Sequence, residues 1–251
     1  MKHTVFLLLL VLGLMASCSS KQTESVTGIS ESDSLIGTLE GDSTVYGLVC
    51  DGFTDTILVF LPIDNIRVDP DTFNILNAMR RHRVFGQLKV GDNIAVVRNS
   101  QDTTIADYVI DMDDLQNTWC YQELPTLHER ADMVGKTEKQ KINNLPDSIR
   151  ELLSVAREYV LQLKADQTVM AKGNFAFQED ENRLVDYPRI KHYGHWNLFN
   201  GKLLLSELAF DSLGNAFVAS IDTTELLLLK RDTLILRFKD TQRHYYPKKV
   251  E

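Results

Sequence analysis

The stretch His195-Trp196-Asn197-Leu198-Phe199-Asn200-Gly201-Lys202-Leu203-Leu204-Leu205 decides the fold of this chain. Two apolar segments flank Asn200-Gly201, and Asn-Gly is the dipeptide that most favours a tight turn between two antiparallel strands. The stretch therefore predicts a β-hairpin, with one strand over 187–196 and the next over 202–209.

Segments of the same kind continue on both sides of this hairpin. Turn residues separate them at spacings of about 8–12 residues, which is typical of antiparallel barrels. Together with a start at Trp119-Cys120-Tyr121, they predict a β-barrel over 116–251. A polar insertion at about 127–157 reads as helical, with Pro146 at the first turn of a helix. The further strands are predicted over 158–164, 168–172, 216–222, 225–230 and 234–238.

The preceding region, 35–115, predicts a second and smaller β-barrel. One short helix interrupts it, capped by Asp71 or Thr72. The stretch Leu88-Lys-Val-Gly-Asp-Asn-Ile-Ala-Val-Val resembles the turn and strand of an OB-type barrel. The fold class expected from the sequence is therefore mainly β, with two small antiparallel barrel-like domains. The strands of this region are predicted over 45–50, 56–61, 84–88, 93–98 and 105–111.

The N-terminus carries the pattern of an export signal. A basic start precedes an apolar stretch over 5–16, which is too short to span a membrane as a helix. The sequence Leu14-Met15-Ala16-Ser17-Cys18 resembles the bacterial lipobox. That resemblance implies a signal peptide over 1–17 and lipid on Cys18, which would anchor the chain to a membrane. The alternative is an ordinary secreted protein that is cleaved at the Ala16-Ser17 site, with Cys18 incidental.

Residues 18–34 are rich in Ser, Thr and Glu, and we expect them to form a flexible tether. Ser19 follows the cysteine in place of the Asp that often retains lipoproteins at the inner membrane. By resemblance, the expected location is the cell envelope at the outer membrane, on either the periplasmic or the surface face.

The second half of the chain resembles a known family. Its features are Trp119, Leu-Gln-Leu-Lys-Ala-Asp-Gln-Thr-Val at 161–169, the hairpin around Trp196, and Asp222-Thr-Thr-Glu followed by Leu-Leu-Leu-Leu-Lys-Arg-Asp-Thr-Leu-Ile-Leu. Their order is similar to that in the lipocalin-like lipoproteins of Bacteroidetes bacteria. The resemblance implies an up-and-down barrel with an apolar interior and no established ligand.

Two hypotheses for function follow. The first is a non-enzymatic envelope lipoprotein that binds a small apolar ligand inside the barrel, where Trp119 and Trp196 would form the core or line a pocket. The second is an interaction or structural module that contacts another envelope protein, with the insertion at 127–157 as its contact element. Both hypotheses remain open at the level of sequence.

The sequence contains no pattern that predicts a catalytic or metal-binding site. His192 and His195 would point to opposite faces of a strand. The acidic run Asp111-Met112-Asp113-Asp114 lacks the glycine of a calcium loop and reads as a solvated linker. We therefore predict no catalytic residue, no metal and no cofactor.

The charge of the chain bears on which ligands it can bind, and its cysteines bear on whether a disulfide forms. The net charge of -8 argues against a nucleic-acid partner. The run Arg80-Arg81-His82-Arg83 could hold an anionic head group, but the favoured interpretation is that it complements a helix C-terminus. Cys50 and Cys120 are predicted as buried free thiols, with a disulfide between them as the alternative.

Overall fold

The structure is a computed structural model that describes residues 39–64, 69–130, 133–173 and 183–249. The chain is divided at Ser34, and the described residues belong to the second of the two units, Leu35–Glu251. The signal peptide predicted at 1–17, the lipid site Cys18 and the tether predicted at 18–34 lie outside the described residues. The second unit is mainly β, as the sequence predicts.

The first part of this unit is a six-stranded sheet in the order β3-β2-β1-β5-β6-β4. A short helix, α1 (Leu76–Arg80), separates β3 from β4. A parallel bridge between Asn74 and Ile105 brings the β3 side of the sheet back toward β6. The strands are β1 (Thr44–Val49), β2 (Ile57–Pro62), β3 (Asp71–Asn74), β4 (Val84–Phe85), β5 (Asn93–Arg98) and β6 (Ala106–Asp111).

A one-turn helix, α2 (Met112–Leu115), leads from this sheet into the rest of the chain. Two further helices, α3 (Glu138–Asn143) and α4 (Asp147–Ser154), follow later. The remaining strands are β7 (Thr118–Glu123), β8 (Thr126–Leu127), β9 (Arg157–Leu163), β10 (Val169–Lys172), β11 (Val185–Asp186), β12 (Tyr193–Phe199), β13 (Lys202–Phe210), β14 (Ala216–Lys230), β15 (Thr233–Arg237) and β16 (Gln242–Pro247).

Eight of these strands form one antiparallel sheet in the order β10-β9-β7-β16-β15-β14-β13-β12. Within it, each strand lies next to its neighbour in the chain, and the last strand, β16, returns to pair with the first, β7. The two edges meet at an antiparallel bridge between Thr168 and His195, where the backbone N–H of Trp196 donates to the carbonyl of Gln167 at 2.9 Å. The sheet is therefore a nearly closed, up-and-down barrel.

The hairpin between β12 and β13 has the predicted turn. Asn200 and Gly201 have φ of 48° and 81°, the left-handed conformation that a tight two-residue hairpin turn requires. A Cβ on Gly201 would lie 2.7 Å from the ring of Tyr108, so glycine also allows the turn to rest on the six-stranded sheet.

Some predictions for individual elements were wrong, and one strand was missed. Residues 216–222 and 225–230 form the single strand β14, because Asp222-Thr223-Thr224 contains no residue that reverses the chain. Asp71 and Thr72 lie in β3, where they pair with β2, and the helix begins only at Leu76. The sequence analysis also missed β16, whose first residues are polar.

The interior has two groups of packed apolar side chains. One fills the six-stranded sheet around Leu58, Phe60 and Phe73. The other fills the barrel and also includes Ile110 and Leu115, so it reaches from the barrel into the end of the first sheet and α2. The second unit is therefore packed continuously across the predicted boundary between residues 115 and 116.

Candidate functional site

The two tryptophans singled out in the sequence both lie in the barrel. Trp119, on β7, is fully buried, and its Nε1–H donates to the carbonyl of Leu115 at 3.0 Å. Trp196, on β12, is 1% exposed, and its Nε1–H donates to the carbonyl of Lys164 at 2.9 Å. Each indole is therefore fixed by a backbone acceptor and surrounded by the barrel core.

The barrel end beside the Asn200-Gly201 turn is filled by leucines. Side chains alternate across a strand, so every second residue of β13 faces inward. Leu203 and Leu205 are fully buried there, and Leu198 pairs with Leu203 in the same core. This end has the composition of an ordinary close-packed protein interior.

Another part of the barrel interior, which we call the barrel mouth, is lined by aromatic and charged side chains. Its tyrosines are Tyr121, Tyr159, Tyr193 and Tyr245, all 6% exposed or less. Tyr121 stacks on Tyr159 at 5.2 Å between ring centroids and meets Tyr245 edge-on at 5.1 Å. The hydroxyl of Tyr159 donates to the carbonyl of Pro188 at 2.6 Å, so the segment before β12 lies over this side of the barrel mouth.

Paired ions complete the barrel mouth. Lys191 Nζ lies 2.8 Å from Asp222 Oδ1, and the hydroxyl of Tyr193 donates to Asp222 Oδ2 at 2.5 Å. Arg243 Nε lies 3.2 Å from Glu123 Oε1, and its guanidinium lies 5.1 Å from the centroid of the Tyr121 ring. Each of these charges therefore has a partner of opposite sign within the barrel.

The pKa values of two tyrosines and one lysine of the barrel mouth lie above their usual range. Burial raises the pKa of Tyr121 to about 12, and burial together with the hydrogen bond to Asp222 raises the pKa of Tyr193. The hydrogen bond to Asp222 raises the pKa of Lys191 as well. General acid–base catalysis works best with a pKa near the working pH. None of these three pKa values is shifted toward neutral pH.

The two histidines discussed in the sequence analysis lie in β12 or directly before it. His195 forms part of the closing bridge, while the ring of His192 packs at 5.9 Å from Phe210. No group of three or more metal-ligating side chains occurs within the described part of the chain. Cys50 and Cys120 are both free thiols, Cys120 buried in β7 and Cys50 partly exposed after β1.

The acidic run is not a solvated linker, which corrects the sequence analysis. Asp111 is 1% exposed and accepts hydrogen bonds at 3.0 Å from the backbone N–H groups of Asp113 and Asp114. It therefore caps the N-terminus of α2. Asp113 in turn accepts from the backbone N–H of Asn93 at 2.9 Å.

A projecting hairpin is the feature that sequence reasoning missed. The strands β13 and β14 pair as far as Phe210 and Ala216, where an ordered turn follows. We call the apolar side chains of this region the hairpin tip; they are Phe210 (57% exposed), Leu213 (85%), Phe217 (51%), Val218 (41%) and Ile221 (56%). Asp211 fixes the turn by accepting from the N–H groups of Leu213 and Asn215, both at 2.8 Å.

Alternating apolar residues predict a strand equally well whether or not a partner covers them. The sequence therefore located these strands but could not show that one end of the hairpin is bare. Clusters of exposed apolar side chains on a folded surface mark interaction sites more often than scattered ones do.

Comparison of the chain with models of known protein families, with curated proteins and with solved structures found no match. Within the described residues, no helix is long and apolar enough to cross a membrane, the longest having eight residues.

Proposed function

We propose that this chain is a non-enzymatic lipoprotein of the cell envelope that acts as an interaction module. Lipid on Cys18 would hold it at the outer membrane, and the hairpin tip would bind another envelope protein. The filled barrel would serve as the rigid support of that hairpin rather than as a container for a ligand.

The observation that carries this proposal is the exposure of the hairpin tip. Its apolar side chains lie within twelve residues of one another, Phe210 to Ile221, on a turn that Asp211 holds in place. Burying apolar surface stabilises a complex by about 25 cal/mol per Å². A rigid turn adds to this because little conformational entropy remains to be lost on binding.

The helical region contributes a second exposed apolar surface. Leu152 and Val155, at the end of α4, are 44% and 56% exposed. This surface supports the earlier hypothesis that 127–157 is a contact element, but its apolar side chains are fewer than those of the hairpin tip.

We also propose that the barrel is lipocalin-like. Its eight strands follow one another around the barrel, as in an up-and-down barrel, and the interior is closed at one end by apolar side chains. The helices α3 and α4 would then be an insertion between two of its strands, β7 and β9.

We propose that the six-stranded sheet is OB-like. Its order places β1 between β2 and β5, and α1 follows the third strand. The parallel bridge between Asn74 and Ile105 joins the third strand to the region of the last, as expected for a five-stranded, partly open Greek-key barrel.

Site-specific photo-crosslinking tests the interaction. A photoreactive amino acid at Leu213 should yield a discrete crosslinked protein in intact cells, because this side chain is 85% exposed on the hairpin tip. The matched control is Val90, an apolar residue at another turn that is 58% exposed. Equal crosslinking at both positions, or at neither, would rule out a specific contact at the hairpin.

Native mass spectrometry of residues 19–251, purified from the envelope, distinguishes the apolar-ligand hypothesis. A ligand inside the barrel would have to displace side chains such as Trp119 and Tyr245, which are now buried. We therefore expect the bare mass of the chain. An adduct that is lost on denaturation would overturn the proposal in favour of ligand binding.

The lipid anchor is tested separately by Cys18→Ala. Several acyl chains hold a protein stably on a membrane, whereas the unmodified chain has no such attachment. The variant should move from the membrane fraction to the soluble fraction after cell lysis. Its retention on membranes would contradict the anchor.

A further inference from the structure

A cleft with a high density of positive charge lies between the six-stranded sheet and the barrel. Its volume is about 380 Å³, and we call it the basic cleft. The residues that line it come from the end of α1, from β6 and from the strands β13, β14 and β15. The cationic ones are Arg81, Arg83, Lys202 and Arg237.

The charge of the basic cleft differs from that of the chain as a whole. The chain has a net charge of -8, yet four cationic side chains line this cleft against the single carboxylate of Glu225. Arg237 pairs with that carboxylate, at 2.8 Å. Within the described ranges, no carboxylate lies within ion-pair distance of Arg81, Arg83 or Lys202.

Backbone and ring contacts hold the segments that carry Arg83 and Lys202 in place. His82 ends α1 in the left-handed conformation, with φ of 55°, and the N–H of Arg83 donates to the carbonyl of Ala78 at 2.8 Å. The guanidinium of Arg83 lies 4.7 Å from the centroid of the Tyr108 ring. Lys202 directly follows the Asn200-Gly201 turn, which rests on the same ring.

Compensation of a helix terminus does not explain this arrangement. The helix α1 has five residues, and only Arg80 lies in its last turn. The dipole of so short a helix gives little reason for further cations, since the effect is confined to the last turn. Lys202 and Arg237 belong to other elements and are unrelated to that terminus.

We propose that the basic cleft binds a phosphate group. The volume of the cleft is in the range of small-molecule sites. A single carboxylate ligand could pair with only some of its unpaired cations. A phosphate carries more charge and more acceptor oxygens, and so could pair with more of them. Guanidinium groups bind phosphate oxygens in a bidentate manner, while Lys202 adds a point charge. Arg83 and Gly201 lie against the Tyr108 ring, so the ligand is recognised by its charge rather than by stacking of an aromatic base.

The phosphate can belong to a soluble compound or to a lipid head group, and one experiment separates these sources. The protein is the body from Ser19 to Glu251, which contains the whole compact unit Leu35–Glu251. Pyrophosphate is titrated by calorimetry, and phosphatidylcholine vesicles with or without phosphatidic acid are used for flotation. Binding of pyrophosphate alone indicates a soluble ligand, and binding only of phosphatidic acid vesicles indicates a head group. Failure of both probes overturns the proposal.

Two matched double variants test the location. Arg81→Gln with Lys202→Gln removes two cations from the basic cleft, and Lys89→Gln with Lys172→Gln removes two exposed cations from elsewhere. The first should weaken binding of the active probe at least about tenfold, because two charge-assisted hydrogen bonds to the phosphate are lost. The second should change it less than about twofold. An equal loss of affinity in both double variants would show that binding depends on overall charge and not on the basic cleft.

A variant that is expected to bind more tightly keeps the proposal testable even if the first double variant misfolds. Glu225→Gln removes the carboxylate that competes for Arg237, so it should tighten binding several-fold compared with Glu151→Gln, which removes an exposed carboxylate elsewhere. No change on Glu225→Gln would contradict the assignment of Arg237 to the phosphate site.

Discussion

At the scale of single residues, Asp111 shows that a charged residue predicted to be exposed can be buried. It stands in an acidic run that the sequence analysis placed in solvent, yet it is packed against Gly86. A Cβ on Gly86 would lie 2.2 Å from the Cβ of Asp111, so only glycine, with its φ of 95°, allows this approach. The spacing of charges along a sequence does not reveal such a contact between strands.

Burial gives Asp111 a measurable effect on stability. The pKa of this carboxyl is raised to about 7, mainly by burial. The hydrogen bond from the backbone N–H of Asp114 lowers the pKa, while the charges of Asp114, Asp92 and Asp113 raise it. Between pH of about 4 and 7 the folded chain therefore binds more protons than the unfolded chain. The free energy of unfolding should fall as pH rises through this window.

The variant Asp111→Asn tests that expectation. Asparagine keeps an acceptor oxygen for the cap of α2 and cannot ionise, so the variant should be more stable than the parent above about pH 7, by more than about 1 kcal/mol. Near pH 4 the two should be alike. Urea unfolding at both pH values measures the difference, with Asp147→Asn, whose side chain is 92% exposed, as the control. An unchanged pH dependence in Asp111→Asn would show that the burial of this carboxyl does not cause the loss of stability.

At the scale of elements, turn chemistry was the most informative signal in the sequence. Asn200-Gly201 located β12 and β13, and the strand predicted at 93–98 has those bounds in the structure. Predictions failed where two local signals competed. Asp71-Thr72 resembles a helix cap, but pairing with β2 makes it a strand, and the cap signal is a weaker local preference than a ladder of backbone hydrogen bonds.

The barrel mouth could not be predicted from local pattern. Tyr121, Tyr193 and Arg243 are far apart in the sequence and meet only because β7, β12 and β16 belong to one sheet. The sequence analysis recognised β7 only by its first residues and missed β16 entirely. Without β16 there was no reason to place Arg243 next to Glu123, 120 positions earlier.

At the scale of the whole molecule, Asn200 joins the barrel to the six-stranded sheet. Its Oδ1 accepts from the N–H and the hydroxyl of Ser43 at 3.0 and 2.7 Å, and its Nδ2 donates to the carbonyl of Gly41 at 3.0 Å. The residue that forms the hairpin turn thus also fixes the hairpin to the start of β1.

We expect Asn200→Ala to destabilise the chain by about 2 kcal/mol. The change removes these side-chain hydrogen bonds and places alanine in the left-handed conformation, which it disfavours. Thermal unfolding compared with Asn215→Ala measures the effect, since Asn215 makes its hydrogen bonds only within the projecting hairpin. A loss no greater than that of Asn215→Ala would show that the contact between the two sheets adds nothing to stability.

The pairing of β16 with β7 has a consequence for the order in which the chain folds. Most neighbours in the barrel are adjacent in sequence and can form early, but Tyr246 must find Cys120 across the whole length of the intervening chain. During synthesis, β7 and β15 therefore each keep one unpaired edge until β16 has been made. A chain cut short before Gln242 would keep both edges open. We expect such fragments to self-associate through these unpaired edges.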